Sequence, residues 1–346
     1  MTTKKEFLLK DEFIKHISAT ADFLNTLKVE FDGYDLQLTD DEKIKVLNKR
    51  KKKIFEKLDF YFDQIWEDFK DLTEEGAVQY KDYFVKNMMS YLAEDIETNS
   101  YIRRRPLGYA GDYVTMNFIY DYQEGRFLGK TLYAKLINHY TCNIDVACSN
   151  IFRKKYLKKK ILQHLSDKEE VQILSVGCGP AREIIELLRE EKITVAVVIH
   201  LLDLEKNAIE YVVKELKSID YDREKIKIRF YMFDLIDLVK SKKIAALFQR
   251  VNFVYISGVF DYLSDRLATK VTKEMFKIVK RELIIFNMSF ENARHRAYYE
   301  IFGEWIMYHR KKDEILNWTN SLEGYKKISI QSYPDCRSYW ILEVER

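Results

Sequence analysis

VQILSVGCGPARE, Val171 to Glu183, is the stretch on which the fold turns. Val171, Ile173, Leu174 and Val176 make a short apolar run that predicts a buried strand. Gly177 and Gly179 follow, backbone that can turn sharply and let a ligand come close to the chain. Past Cys178 and Pro180 a helix is expected over 181–191, with Ile184, Ile185, Leu187 and Leu188 on its apolar side. A helix that opens just beyond such a turn points N–H groups at whatever lies above the strand. This is a nucleotide-type site, but glycines alone leave the ligand open.

The next strand narrows the choice. Thr194 to Leu202 is almost wholly apolar, as expected of a parallel strand covered on both faces, and it runs into Asp203. An acidic residue at the tip of the second strand is where doubly wound sheets hold a ribose. The turn reads GCGP, and the place of a third dinucleotide glycine is taken by Arg182. That bulk argues against a pyrophosphate on the helix and for a smaller nucleoside ligand. The pattern resembles the glycine loop of class I S-adenosylmethionine-dependent methyltransferases. The resemblance implies S-adenosylmethionine as cofactor, with Gly177 and Gly179 under its methionine part and Asp203 on its ribose. The alternative is a tight strand–helix turn beside an exposed aspartate.

Outward from this point the second half alternates. Helix 205–217 leads to strand 226–233, helix 236–248 to strand 251–257, and helix 264–280 to strand 282–288. A long helical region is expected over roughly 292–320, then strands 325–332 and 337–344 around the turn Tyr333-Pro334-Asp335-Cys336. Five strand–helix units predict a parallel sheet with right-handed crossovers. The fold class is therefore α/β: a seven-stranded Rossmann-like methyltransferase sheet, mostly parallel, with a C-terminal antiparallel hairpin and a helical N-terminal domain. The expected domains are 1–165 and 166–346.

Ligands of open α/β sheets sit above the carboxyl ends of the strands. There the sequence places Gly177, Cys178, Gly179, Pro180 and Glu183, then Asp203 and Leu204, Asp234 and Leu235, Ser257 and Gly258, and Asn287. Asp234 suits an adenine amine or, equally, the cap of helix 236–248. Ser257 and Gly258 offer backbone, and Glu183 a carboxylate, to the ligand's ammonium. Strand four ends in Ser-Gly, unlike the Asn/Asp-Pro-Pro-Tyr of enzymes that methylate amino groups of bases and glutamine, which argues against nucleobase N-methylation. Cys178 reads as packing rather than as a nucleophile, and no metal site is expected.

Residues 1 to about 98 read as helices, with Phe7, Phe13, Ile17 and Leu24 at helical spacing. A connector is expected over 31–39 around Gly33, then a helix capped by Asp40 or Asp41 that Gly76 interrupts, and a third helix past it with Val78, Phe84 and Leu92. The segment 99–112, NSYIRRRPLGYAGD, breaks the pattern. Three arginines before Pro106 offer rigid forks for a carboxylate. Helices resume over 127–161, and 166–170 is a polar lead into the sheet.

The 346 residues suffice for two cores, and the composition is that of an ordinary soluble globular chain. The absence of a leader pattern in MTTKKEFLLKDE and of a membrane-length apolar run predicts a cytoplasmic protein with no membrane span. Four cysteines without C-x-x-C pairing read as reduced thiols. Net charge is only +3, so the basic runs 49–53 and 153–160 read as solvated helix faces, and nucleic acid is disfavoured as a partner.

Three segments, RRRPLGYAGDY (103–113), ILSVGCGPARE (173–183) and EIFGEWIMYHR (300–310), resemble the bacterial methyltransferases that form 3-hydroxy fatty acid methyl esters. The resemblance runs from about residue 60 to the end. It implies a carboxyl oxygen as acceptor on a small or lipid-like acid. The 103–113 loop would then close the active site, with Arg104 or Arg105 on the acceptor carboxylate and Tyr109 and Asp112 at the transfer site. Trp305, Tyr308 and Arg310 would build the acceptor pocket, or else form an amphipathic helix packed on the sheet. Two other functions stay open: methylation of RNA or a protein side chain, and cofactor sensing without turnover. The oligomeric state is not legible.

Overall fold

In the computed structural model of the chain, residues 8–123, 128–166, 170–248 and 251–346 are described. Their contacts divide the chain into two compact units, 1–147 with 294–306, and 148–293 with 307–346. This division differs from the boundary at 165 expected from sequence, because the chain from residue 148 onward joins the sheet unit and a short segment after the fifth strand belongs with the helices.

In the second unit, strands and helices alternate. The order is α7 (Asp145–Leu165, from residue 148 onward), β1 (Val171–Val176), α8 (Arg182–Glu190), β2 (Val197–Leu202), α9 (Lys206–Lys217), β3 (Ile226–Tyr231), α10 (Leu235–Lys240), α11 (Lys242–Ala246), β4 (Val251–Ile256), α12 (Asp265–Ile278) and β5 (Val279–Met288). Then come α13 (Lys312–Asn317), β6 (Lys327–Gln331) and β7 (Tyr339–Glu345). The sheet has seven strands in the order β3-β2-β1-β4-β5-β7-β6. Strands β1 to β5 are parallel, and β7 runs antiparallel to both β5 and β6. The expected sheet class is thus the observed one. The strand order reverses between β1 and β4, the switch point where such sheets leave a crevice above the strand ends. Buried Leu174, Val176, Val254, Ile256, Leu283 and Ile285 show why the central strands read as continuous apolar runs.

The first unit holds α1 (Asp11–Gln37), α2 (Asp40–Phe69), α3 (Glu74–Leu92), α4 (Glu97–Arg104), α5 (Tyr113–Gln123) and α6 (Leu132–Thr141). It also holds a six-residue π-helix, Ala297–Phe302. Phe13, Leu24, Phe62, Phe84 and Tyr298 pack its core. Among the described residues, no helix is long and apolar enough to cross a membrane.

Several local expectations are corrected. The connector over 31–39 is helical as far as Gln37, because Gly33 lies in an open helix interior that tolerates it. Thr39, not Asp40 or Asp41, caps α2, in a capping box with Glu42. Gly76 does not interrupt a helix: it lies in the first turn of α3, where its N–H donates to the Thr73 cap. Helix 236–248 breaks at Ser241, whose hydroxyl caps α11. The long helix over 292–320 does not form. Glu304 takes a left-handed conformation after Gly303, and the Arg310 N–H donates to the Met288 carbonyl, drawing the chain out beside β5. Phe7, Phe127 and residues 167–169 lie outside the described residues.

Candidate functional site

The β1–α8 turn is built on alternating left-handed backbone: Gly177 (φ 66°), Gly179 (φ 50°) and Ala181 (φ 43°). The Gly177 and Cys178 N–H groups both donate to the Leu202 carbonyl, at 2.8 and 3.0 Å, which fastens the turn to the end of β2. At Gly177 a side chain would run into Val259, whereas above Gly179 nothing lies within 4 Å of an added Cβ. Ala181 occupies the N-cap of α8 with no side-chain cap, so the first turn relies on its backbone alone. A left-handed alanine is strained, and such strain gathers at functional turns.

Asp203 stands at the end of β2 and joins the turn. Its Oδ2 accepts from the Gly179 N–H at 2.7 Å, and its Oδ1 from the Glu205 N–H at 2.9 Å. Burial raises its pKa, and these two donors oppose the rise. Leu204, next to it, is exposed. Glu183 is buried in the first turn of α8, where its Oε1 accepts from the Tyr255 hydroxyl at 2.7 Å. Burial raises the Glu183 pKa as well. Cys178 and Pro180 are buried, and burial pushes the Cys178 thiol well above its usual range, which makes it inert.

Beyond the switch point, Gly258 is left-handed (φ 84°), and an added Cβ there would meet the Arg153 guanidinium at 3.5 Å. Arg153 is itself buried, over the Tyr339 ring at 5.0 Å. Lys154 is buried too and pairs with Glu186, so the start of the basic run 153–160 is not the solvated face expected from sequence, whereas Lys155 and Lys159 are exposed. Asp261, buried in the turn after β4, accepts from the Met288 N–H at 2.7 Å. Asp234 caps α10, its Oδ1 accepting from the Ile236 N–H at 2.9 Å, with Leu235 buried behind it.

Arg310 is tied up on all sides. Its Nη1 donates to the Phe260 carbonyl at 3.0 Å and to Asn287 Oδ1 at 2.6 Å, its Nε to Asp265 at 2.7 Å, and its Nη2 to the Leu263 carbonyl. Asn287 in turn donates to the Tyr308 carbonyl at 3.0 Å. These side chains hold the 260–265 turn against β5, while the Tyr308 ring is exposed.

Within the helical unit, the Arg103 and Arg105 side chains converge on Glu304. Arg104 is exposed and donates to the Ser100 carbonyl, and Tyr109 is exposed as well. Asp112 caps α5: Oδ1 accepts from the Val114 and Thr115 N–H groups, and Oδ2 from the Tyr101 hydroxyl at 2.9 Å. Trp305 is buried but not helical, and it packs so closely on Gly111 that a Cβ there would lie 2.7 Å from its ring.

Two groups at the strand ends escaped the sequence. Arg153 lies in a lysine-rich run that reads as surface, and Tyr255 sits in the middle of an apolar strand. Their partners Tyr339 and Glu183 are 186 and 72 positions away, so only the spacing of Tyr255 in a strand facing α8 could have hinted at either. Among the described residues no group of three His, Cys, Asp or Glu stands where it could hold a metal ion.

No family model matches the chain, and no curated protein matches it. Among solved structures, it is similar to a possible exported protein from Bordetella parapertussis, with a TM-score of 0.55 at 12% identity over 73% of this chain and 87% of that one. It is also similar to the apo form of the S-adenosylmethionine-dependent methyltransferase SibL, with a TM-score of 0.48 at 11% identity over 96% and 97% of the two chains. A third likeness is to magnesium protoporphyrin IX methyltransferase from Synechocystis with bound SAM, with a TM-score of 0.42 at 13% identity over 58% and 82%. The first of these bears on the fold alone; at the scores of the other two the likeness carries no argument.

Proposed function

We propose that the chain is an S-adenosylmethionine-dependent methyltransferase that methylates a carboxylate oxygen on a small or fatty-acid-like substrate. The observation that carries this is the bond from the Gly179 N–H to Asp203, which sets an acidic side chain beside an open, left-handed glycine turn at the switch point. A nucleoside with no phosphate suits that turn: the space above Gly179 is clear, and Arg182 stands where the dinucleotide pattern has its third glycine.

Asp203 would accept from the ribose hydroxyls through lone pairs that its two backbone donors leave over. Gly177, Gly179 and Gly258 would let the amino-acid part lie against backbone, with Glu183 and Ser257 near its ammonium. Asp234 has one carboxylate oxygen engaged in its cap and would offer the other to an adenine amine. Leu204 and Leu235 would flank the ring. The bound cofactor supplies an electrophilic methyl group on a sulfonium. The protein's part is alignment and exclusion of water, and an ionised acceptor needs no base.

Arg105 and Asp112 act as positioning residues in this scheme, since each is already held by a partner in the helical unit. Exposed Tyr308 is an acceptor contact, and Arg310 and Asn287 support it by fixing the backbone at 308–310. Titration calorimetry with S-adenosylmethionine tests the cofactor, and a methyl-transfer screen over carboxylic acids, amines and RNA tests the acceptor. No heat at millimolar cofactor would end the proposal; transfer to amines or RNA alone would end its acceptor half.

A further inference from the structure

Beside the end of β4 stands a buried cation that the methyl-transfer scheme does not use. Arg153, on α7, is 6% exposed and lies over two rings, Tyr339 of β7 at 5.0 Å and Phe286 of β5 at 6.0 Å. Gly258 faces it. A Cβ added there would lie 3.5 and 3.6 Å from the two terminal guanidinium nitrogens but 3.9 Å from the carbon between them. The fork therefore turns its two-nitrogen edge toward the glycine. Gly258 is partly exposed and left-handed (φ 84°), a conformation that favours glycine, and glycine puts no side chain across that edge.

Two more donors belong to the same cluster. Asn150, one turn earlier on α7, accepts from the Tyr339 hydroxyl through Oδ1 at 3.3 Å, while its Nδ2 meets no acceptor. Ser338, next to Tyr339, gives its backbone N–H to Ser149 Oγ at 3.2 Å, and its own hydroxyl is unmatched. Both side chains are fully buried. Buried donors are costly to leave unmatched, and two of them in one cluster with a cation suit an anion. The Arg153 charge also reaches Glu183 and Asp261, carboxyls that accept from the Tyr255 hydroxyl and the Met288 N–H. All of these residues belong to the sheet unit.

We propose that the Arg153 fork, reached past Gly258, binds the carboxylate of the methyl acceptor. A guanidinium takes a carboxylate through two parallel bonds, a geometry that a lysine cannot supply. The placement favours the acceptor over the cofactor's own carboxylate. The cofactor's amino-acid end centres on the β1–α8 turn, whereas Arg153 lies over β5 and β7, on the other side of β4, where Asn287 holds Tyr308. The assignment rests on the methyl-transfer reading for the role of the acid, not for the carboxylate site itself.

The experiment titrates the full chain with acetate, benzoate and octanoate, with octanamide as the uncharged control, and separately with S-adenosylhomocysteine, all by calorimetry. The parent is expected to bind at least one acid and not the amide. Arg153→Met should weaken that acid by about 10- to 150-fold, the scale of one hydrogen bond to a charged group, and leave S-adenosylhomocysteine unaffected. Arg153→Lys keeps the charge without the fork and should recover part of the loss. If Arg153→Met does not fold, a crystal of the parent soaked with the acid decides: its carboxylate is expected within hydrogen-bond distance of both terminal nitrogens of Arg153, and a position away from them would overturn the proposal. So would a parent that binds no acid, or binds the amide equally, or an acid affinity that Arg153→Met leaves intact. Loss of S-adenosylhomocysteine with the acid unaffected would give the fork to the cofactor's carboxylate and overturn it too. A parent that binds acid through Arg153 but no S-adenosylhomocysteine would leave the carboxylate site standing and end the methyl-transfer reading.

Discussion

Arg105 and Glu304, 199 positions apart, are both left-handed (φ 46° each) and are ion-paired to one another. Arg103 adds a second contact to the same carboxylate at 2.7 Å. Each residue occupies a conformation that costs an L-residue roughly 1–2 kcal/mol. The pair therefore secures two strained turns at once, the entry to the 105–112 loop and the exit from the π-helix.

The order of two substitutions tests this. Glu304→Ala loses both ion pairs and keeps the strain, so it should destabilise by about 1–2 kcal/mol, the pairs being half exposed. Glu304→Gly loses the same pairs but relieves the backbone, and should be the milder change. Urea unfolding midpoints read the order directly; glycine proving worse than alanine would remove strain from the account.

Two glycines should respond to alanine in opposite directions. At Gly111 an added Cβ would lie 2.7 Å from the Trp305 ring, so Gly111→Ala should cost about 1–3 kcal/mol and shift the tryptophan fluorescence. At Gly33, inside α1 with nothing within 4 Å, Gly33→Ala should stabilise by about 0.5–1 kcal/mol. Thermal denaturation of the two variants beside the parent checks both signs.

The sheet was legible because parallel strands buried on both faces leave unbroken apolar runs, as 171–176 and 251–256 do. The turn was legible because Gly177 and Gly179 announce backbone freedom. Ala181, Arg105 and Glu304 adopt the same left-handed region without a glycine, and nothing local marks them. The segment 297–310 carries an aromatic pattern that a helix could equally use. What decides its path is the pairing of Arg310 with Met288, a contact between backbones. Arg153 shows the same limit: a charge within a lysine run reads as surface, and only its distant partner Tyr339 reveals otherwise.

At the proposed cofactor site, Asp203→Ala should weaken S-adenosylmethionine binding by roughly 1–3 kcal/mol, or about 5- to 150-fold, the scale of charge-assisted hydrogen bonds. Asp203→Asn keeps an acceptor oxygen for the Gly179 N–H and should lose less. Calorimetric dissociation constants for the two variants give the comparison. Equal affinity in Asp203→Ala and the parent would take the ribose contact away from this residue.

Asp261 sets a pH dependence of stability. Burial pushes its carboxyl up to about 6, against 3.8 for a free side chain, although Met288 donates to it and two arginines lie near. The folded chain therefore holds a proton that the unfolded chain has released between about pH 4 and 6. Stability from this group is complete below the lower value and is lost as pH rises through the upper one. Asp261→Asn keeps an oxygen for the Met288 N–H without the buried charge. It should match the parent near pH 4 and exceed it at pH 7.5, by up to roughly 3 kcal/mol. Urea denaturation at pH 4, 5, 6 and 7.5 would show the two curves diverging upward through that window. Curves that stay parallel would mean that the carboxylate is ionised in the folded chain throughout, held by Arg153 and Arg310.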